Sequence, residues 1–139
     1  MIRVSKSWVH GALMASGTVS HDVPLIAQHP LPDTISALRP DWGPPLHLGP
    51  YLDVWRRIDA GEPVKVLLSV PPRHWKSQTT ICGLARAIAR NPERRNVYAT
   101  YGEDLSRTAS RTCRRYVRDR MKVPLSSEAN RLDDWATIY

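Results

Sequence analysis

The sequence predicts an α/β fold in which a parallel sheet is flanked by helices, and three observations carry that expectation. Val64-Lys65-Val66-Leu67-Leu68-Ser69-Val70 is a short, nearly unbroken apolar run rich in β-branched residues, the pattern of a strand buried on both faces. A helical period follows, with Ile81, Leu84, Ala85, Ile88 and Ala89 on one side. Asn96-Val97-Tyr98-Ala99-Thr100-Tyr101 then reads as a second strand. Strand, loop, helix and strand in that order make a βαβ unit.

Taken in chain order, residues 1–45 contain Pro24, Pro30, Pro32, Pro40, Pro44 and Pro45 without a sustained period. They are expected to form an irregular, proline-rich lead-in, with the domain proper over 46–139. Leu48, Leu52, Trp55 and Ile58 recur at helical spacing, Pro50 sits where a first turn tolerates it, and Gly61 supplies a stop. After the first strand a helix opens at Ser77 and closes at Asn91-Pro92. A further helix is expected over about 103–120, with Thr100 and Glu103 at capping-box spacing. Beyond Met121, Ser126-Ser127-Glu128-Ala129-Asn130 looks turn-like and Trp135-Ala136-Thr137-Ile138-Tyr139 looks like a strand.

Composition narrows the class. A chain of 139 residues suits one modest domain, and 42% hydrophobic with 24% charged residues is ordinary for a soluble globular protein. The net charge of +7 and a pI near 9.9 suit an acidic partner such as nucleic acid, and suit solubility equally. Cys82 and Cys113 lie far apart, and His10, His21, His29, His47 and His74 have no ligand spacing, so neither a disulfide framework nor a zinc site is expected. Arg3 and Lys6 precede a short apolar run that His10 and Gly11 interrupt, and no stretch approaches a membrane span. A cytoplasmic protein with no membrane association is expected.

Between the first strand and its helix stands Pro71-Pro72-Arg73-His74-Trp75-Lys76-Ser77. A phosphate cradle needs converging backbone N–H groups, a helix N-terminus behind them and a cation for the terminal phosphates. The usual solution is G-x-x-x-x-G-K-[ST]. In that register Val70 and Trp75 occupy the two glycine positions, followed by Lys76 and Ser77. Lys76 would meet the β- and γ-phosphates, and the Ser77 hydroxyl would ligate Mg²⁺. Arg73 and His74 bring further positive charge to the turn. Against this, a Lys-Ser pair at a helix start is commonly a solvated first turn, and both glycines are replaced.

The loop resembles the PPRHGKS or PPRHGKT loop of the terminase large subunits of tailed bacteriophages, the motors that package DNA. His47-Leu48-x-Pro50 and Gly61-Glu62-Pro63 lead into the strand much as in that family. Downstream, the segment from Ala99 to Arg107 resembles its "SYGADLAR" element, and Asn130-Arg131-Leu132-Asp133-Asp134-Trp135 its "SNRLDEW" element. The resemblance implies a P-loop NTPase domain of the ASCE type, followed in the family by a nuclease domain of RNase H-like fold. It implies ATP and Mg²⁺ as cofactors, with Lys76 and Ser77 in the roles given above and Arg73 reaching toward the γ-phosphate. It also implies double-stranded DNA, a terminase small subunit and a portal protein as partners, and a homo-oligomeric ring.

Trp75 stands where the family has glycine, at a position whose backbone must take unusual dihedrals close to phosphate. Weakened ATP binding is expected there. The family continues into a Walker B strand ending in paired acids. Asp133-Asp134 follows Asn-Arg-Leu rather than a hydrophobic strand and does not suit that role. The chain is therefore expected to represent an incomplete, N-terminal part of such an ATPase domain, incompetent for hydrolysis alone.

Arg107, Arg111, Arg114, Arg115 and Arg118 share one face of the last helix, with Leu105, Ala109, Cys113 and Tyr116 roughly opposite. Such a stripe suits the DNA backbone, a neighbouring subunit or plain solvent. Two other classes stay open: a non-catalytic basic DNA-binding module, and another P-loop enzyme such as a small nucleotide kinase.

Overall fold

Two prolines that suggest irregularity in the lead-in turn out to start a helix. The computed structural model describes residues 23–130 and 135–137, with the side chains of 128–130 and 136 excepted. Within the expected lead-in it contains α1, Leu25–Gln28, and α2, Leu31–Leu38. Pro30 is the N-cap of α2 and Pro32 falls in its first turn, where a missing N–H costs nothing. Leu31, Ile35 and Leu38, at i, i+4 and i+7, are buried. This part of the lead-in is core.

A single 3₁₀ turn, Leu46–Leu48, leads into α3, Gly49–Asp59, with Pro50 in its first turn. The helix ends in a Schellman arrangement. Gly61 has φ +78°, its N–H reaches the Ile58 carbonyl at 3.0 Å, and the Glu62 N–H reaches that of Arg57 at 3.0 Å. Glycine takes this left-handed backbone without the Cβ penalty.

Helix α4, Lys76–Arg90, is the centre of the packing. The sequence period predicts one apolar side, but Cys82 and Gly83 are buried alongside Ile81, Ala85, Ile88 and Ala89. Helices α1 and α2 and the last helix with its π turn gather on it, and α3 reaches it through Tyr51, Trp55 and Asp59. Gly83 permits the closest approach: a Cβ there would lie 2.5 Å from two atoms of the Trp55 indole. Arg86, 4% exposed along its side chain, crosses the same core. It pairs with Asp59 of α3 and donates at 2.7 Å to the His29 carbonyl between α1 and α2.

Helix α5, Glu103–Arg115, continues into a wider π turn, Tyr116–Arg120, so helical structure reaches Arg120 as expected. Ala109, Cys113, Tyr116 and Val117 are buried, whereas Leu105 is exposed. The capping box does not form. The N-cap is Gly102, the Thr100 hydroxyl donates to the Gly102 carbonyl at 2.7 Å, and Glu103 pairs with Arg107.

In the tail, the turn-like stretch is strand β1, Leu125–Asn130, paired antiparallel with β2, Trp135–Thr137. An antiparallel partner close in sequence satisfies its backbone, which outweighs weak local propensity. The two segments expected as parallel strands, 64–70 and 96–101, have no ladder partner among the described residues. Leu67 is 99% exposed, Val97 74% and Tyr101 98%. A strand is a property of pairing, so an apolar run alone does not make one.

Candidate phosphate-binding site

The loop residues come together at the N-terminus of α4. Arg73 has φ +64° and Trp75 φ +63°, with Trp75 as the helix N-cap in the left-handed region. His74 between them does not have positive φ, and Lys76 after them is helical. Alternation of this kind is the backbone pattern from which nests of successive N–H groups are built. Left-handed backbone costs a non-glycine residue about 1–2 kcal/mol. Finding it at both Arg73 and Trp75 marks a loop held in a specific shape.

The helix end is open to a ligand. The first helical bond runs from the Thr79 N–H to the Trp75 carbonyl at 2.8 Å, leaving the N–H groups of Lys76, Ser77 and Gln78 without intrahelical acceptors. No side chain caps them, and the first turn has no acidic residue. The positive end of a fifteen-residue helix therefore faces outward. Arg73, His74, Lys76 and Ser77 are all exposed there. Among the described residues neither Arg73 nor Lys76 has an ion-pair partner.

Residues from before and within α3 brace this loop. The His47 Nε2–H donates to the His74 carbonyl at 3.3 Å, and the His74 Nδ1–H donates to that of Pro72 at 3.0 Å. Thr80 donates to the Lys76 carbonyl at 2.8 Å, so the Tyr51 hydroxyl, 2.8 Å from Thr80 Oγ1, is the donor to it. The Trp75 indole meets Trp42 edge-on, with centroids 4.0 Å apart and planes at 85°. Arg39 lies 3.7 Å over the Trp42 ring and forms a two-pronged pair with Asp41 at 2.9 and 2.6 Å. That pairing holds the Asp41 carboxyl below its ordinary range. A cleft of about 300 Å³ between α3 and the 64–70 segment runs up to Lys76 and is walled by Tyr51, Trp55 and Val66.

The sequence places Arg73, His74, Lys76 and Ser77 at one turn, and the structure brings them to one helix end. The braces are not visible in the sequence. What His47 and Trp42 touch in this loop lies about thirty positions downstream of each.

The arginine stripe lies on α5 and its π turn, away from this loop in sequence. Arg107 pairs with Glu103 at 2.6 Å and Arg118 with Asp119 at 2.6 Å, which holds the Asp119 carboxyl low. Arg111 and Arg115 are exposed, and Arg114 is half-buried. Among the described residues no three His, Cys, Asp or Glu side chains cluster as a metal site would require. Asp133 and Asp134 lie outside the described residues, as does the apolar run near the N-terminus. No helix among the described residues is long and apolar enough to cross a membrane.

Compared with known proteins, the chain matches no family model, no curated relative and no solved structure.

Proposed function

We propose that this chain supplies the nucleotide-binding element of an ATP-driven DNA-packaging motor of the terminase large-subunit type, with an incomplete α/β P-loop fold of the ASCE kind. One observation carries the reading. Left-handed backbone at Arg73 and Trp75 leads directly into an uncapped helix whose first residues are Lys76 and Ser77. Nest, helix end and lysine are the three parts that a polyphosphate requires.

In this reading the backbone N–H groups from His74 to Gln78 receive the phosphate oxygens, and the Lys76 ammonium neutralises the β- and γ-phosphates. Arg73 approaches the γ-phosphate. Mg²⁺ is a hard cation that keeps several waters and binds through few protein oxygens, so a single hydroxyl beside the phosphates is a fitting donor. Ser77, exposed in the first turn of α4, would hold it, and the ion would neutralise charge on the phosphates. The wider assignment (cytoplasm, a ring of copies, double-stranded DNA, small subunit and portal) rests on the sequence resemblance.

Titration with MgATP, followed calorimetrically, tests the reading. Saturable binding that Lys76→Ala abolishes supports it; no binding by the native chain defeats it. The exposed Arg111 and Arg115 favour a second reading, a basic DNA-binding module. DNA affinity unaffected by Lys76→Ala, in a chain that ignores MgATP, would select that reading instead.

A further inference from the structure

We infer that Trp42 is a positioning residue for the phosphate loop, acting through Trp75. The inference rests on the phosphate-binding reading above and adds what keeps that loop in shape. A residue other than glycine at the Trp75 position is drawn toward ordinary negative φ, and relaxing in that direction would re-aim the N–H groups that form the nest. Relaxation would also swing the Trp75 Cβ and carry the indole off Trp42. The edge-to-face contact at 4.0 Å therefore exists only while Trp75 is left-handed, and it favours that state.

Trp42 is itself fixed. Its backbone N–H donates to the Arg39 carbonyl at 2.9 Å, and its ring is covered by the Arg39 guanidinium at 3.7 Å. Asp41 holds that guanidinium through two hydrogen bonds. The ring also packs at the edge of the core, half-buried. A rigid partner of this kind transmits its position, whereas a mobile surface ring would follow Trp75. The chain thus keeps with an aromatic clamp a backbone shape that glycine would otherwise supply.

The test combines a double-mutant cycle on MgATP affinity with a direct readout of the Trp75 backbone. Trp42→Ala is expected to weaken MgATP binding about fivefold, the equivalent of one aromatic pair. In a Trp75→Gly background the same change is expected to alter affinity by less than about twofold, since no ring remains to clamp. Trp42→Phe, which keeps an aromatic edge, is expected to retain affinity. In the ¹⁵N-labelled protein, the strong intraresidue HN–Hα Overhauser effect of a left-handed Trp75 should weaken in Trp42→Ala and persist in Trp42→Phe. Trp42→Leu, which preserves apolar bulk, carries the same expectations as the alanine variant if that variant does not fold. Equal losses in both backgrounds, or an unchanged Trp75 signal in Trp42→Ala, would overturn the clamp. If no variant binds MgATP the phosphate reading fails, and the clamp then stands or falls on the Trp75 signal alone.

Discussion

Trp55 of α3 rests against the backbone of α4 at Gly83, so closely that a Cβ there would sit 2.5 Å from Cε2 and Cζ2 of the indole. Gly83→Ala puts two effects in opposition. Helix propensity favours alanine by about 1 kcal/mol. Overpacking against a rigid ring costs about 1–3 kcal/mol. Because the ring atoms are not the end of a flexible chain, the second effect should dominate. The variant is expected to unfold at lower urea concentration, and a midpoint at or above that of the native chain would contradict this packing.

Arg86 ties three helical segments together through Asp59 and the His29 carbonyl. Replacing it by Ala leaves the Asp59 carboxylate facing a partly closed site with only Arg90, 4.0 Å away, nearby. A loss of about 3 kcal/mol is expected, the lower end for breaking a buried pair because Asp59 retains some exposure. The double variant Arg86→Met, Asp59→Leu should recover most of that loss in chemical denaturation. Equal damage in single and double variants would show that the hydrogen bond to His29, rather than the ion pair, is what matters.

At the loop itself, Trp75→Gly removes the left-handed penalty of about 1–2 kcal/mol and forfeits an aromatic contact of about 0.5–1.5 kcal/mol. It also removes an indole, 37% exposed, from the loop proposed to hold phosphate. Net tightening of MgATP binding by about threefold is expected from these effects together. Calorimetry showing unchanged or weaker binding would refute this view of the loop.

Burial pushes the thiols of Cys82 and Cys113 up to about 12. Unfolded, both ionise near the ordinary cysteine value of about 8.5. A group whose folded value is raised stabilises the fold fully below its unfolded value and loses that contribution as pH climbs through the folded one. The expected consequence is a denaturation midpoint that falls between about pH 8.5 and 12. The fall should be shallower when both cysteines are alanine. Below that window a thiol reagent should label neither cysteine until the chain unfolds.

On α5, Arg111 and Arg115 are exposed, while Arg107 and Arg118 are each engaged with an acid. If this face meets the DNA backbone, Arg111→Ala with Arg115→Ala should weaken binding to all duplex sequences alike. It should also reduce the salt slope by roughly two, one for each phosphate left unneutralised. Binding and slope that do not change would assign the stripe to solvent.

What could be read from the residues alone follows the range of the forces involved. Helices α3, α4 and α5 were legible because Leu48, Trp55, Ile81, Ile88, Ala109 and Cys113 recur at helical spacing, a local signal. Helices α1 and α2 were hidden behind Pro30 and Pro32, although Leu31, Ile35 and Leu38 carry the same period. The loop was legible in which residues meet, since they are contiguous. Its supports at Trp42, His47 and Tyr51 were not, because each joins residues about thirty positions apart. Arg86 shows the same blindness in the core: nothing in the α4 pattern marks this charge as buried. Segments 64–70 and 96–101 have the composition of strands, but no neighbour pairs with them among the described residues.

That last segment pair has a consequence for handling the protein. Val66-Leu67-Leu68-Ser69-Val70 is β-prone, uncharged, free of proline and largely open to solvent, the composition that stacks copies of itself into dry zippers. The chain brackets it with gatekeepers, Lys65 before it and Pro71-Pro72 after it, which oppose stacking by charge and by a missing N–H. Removing the Lys65 charge would leave the ribbon guarded at one end alone. Losses on concentration would then reflect self-templated fibre growth from a folded chain, and colloidal behaviour would part company with conformational stability.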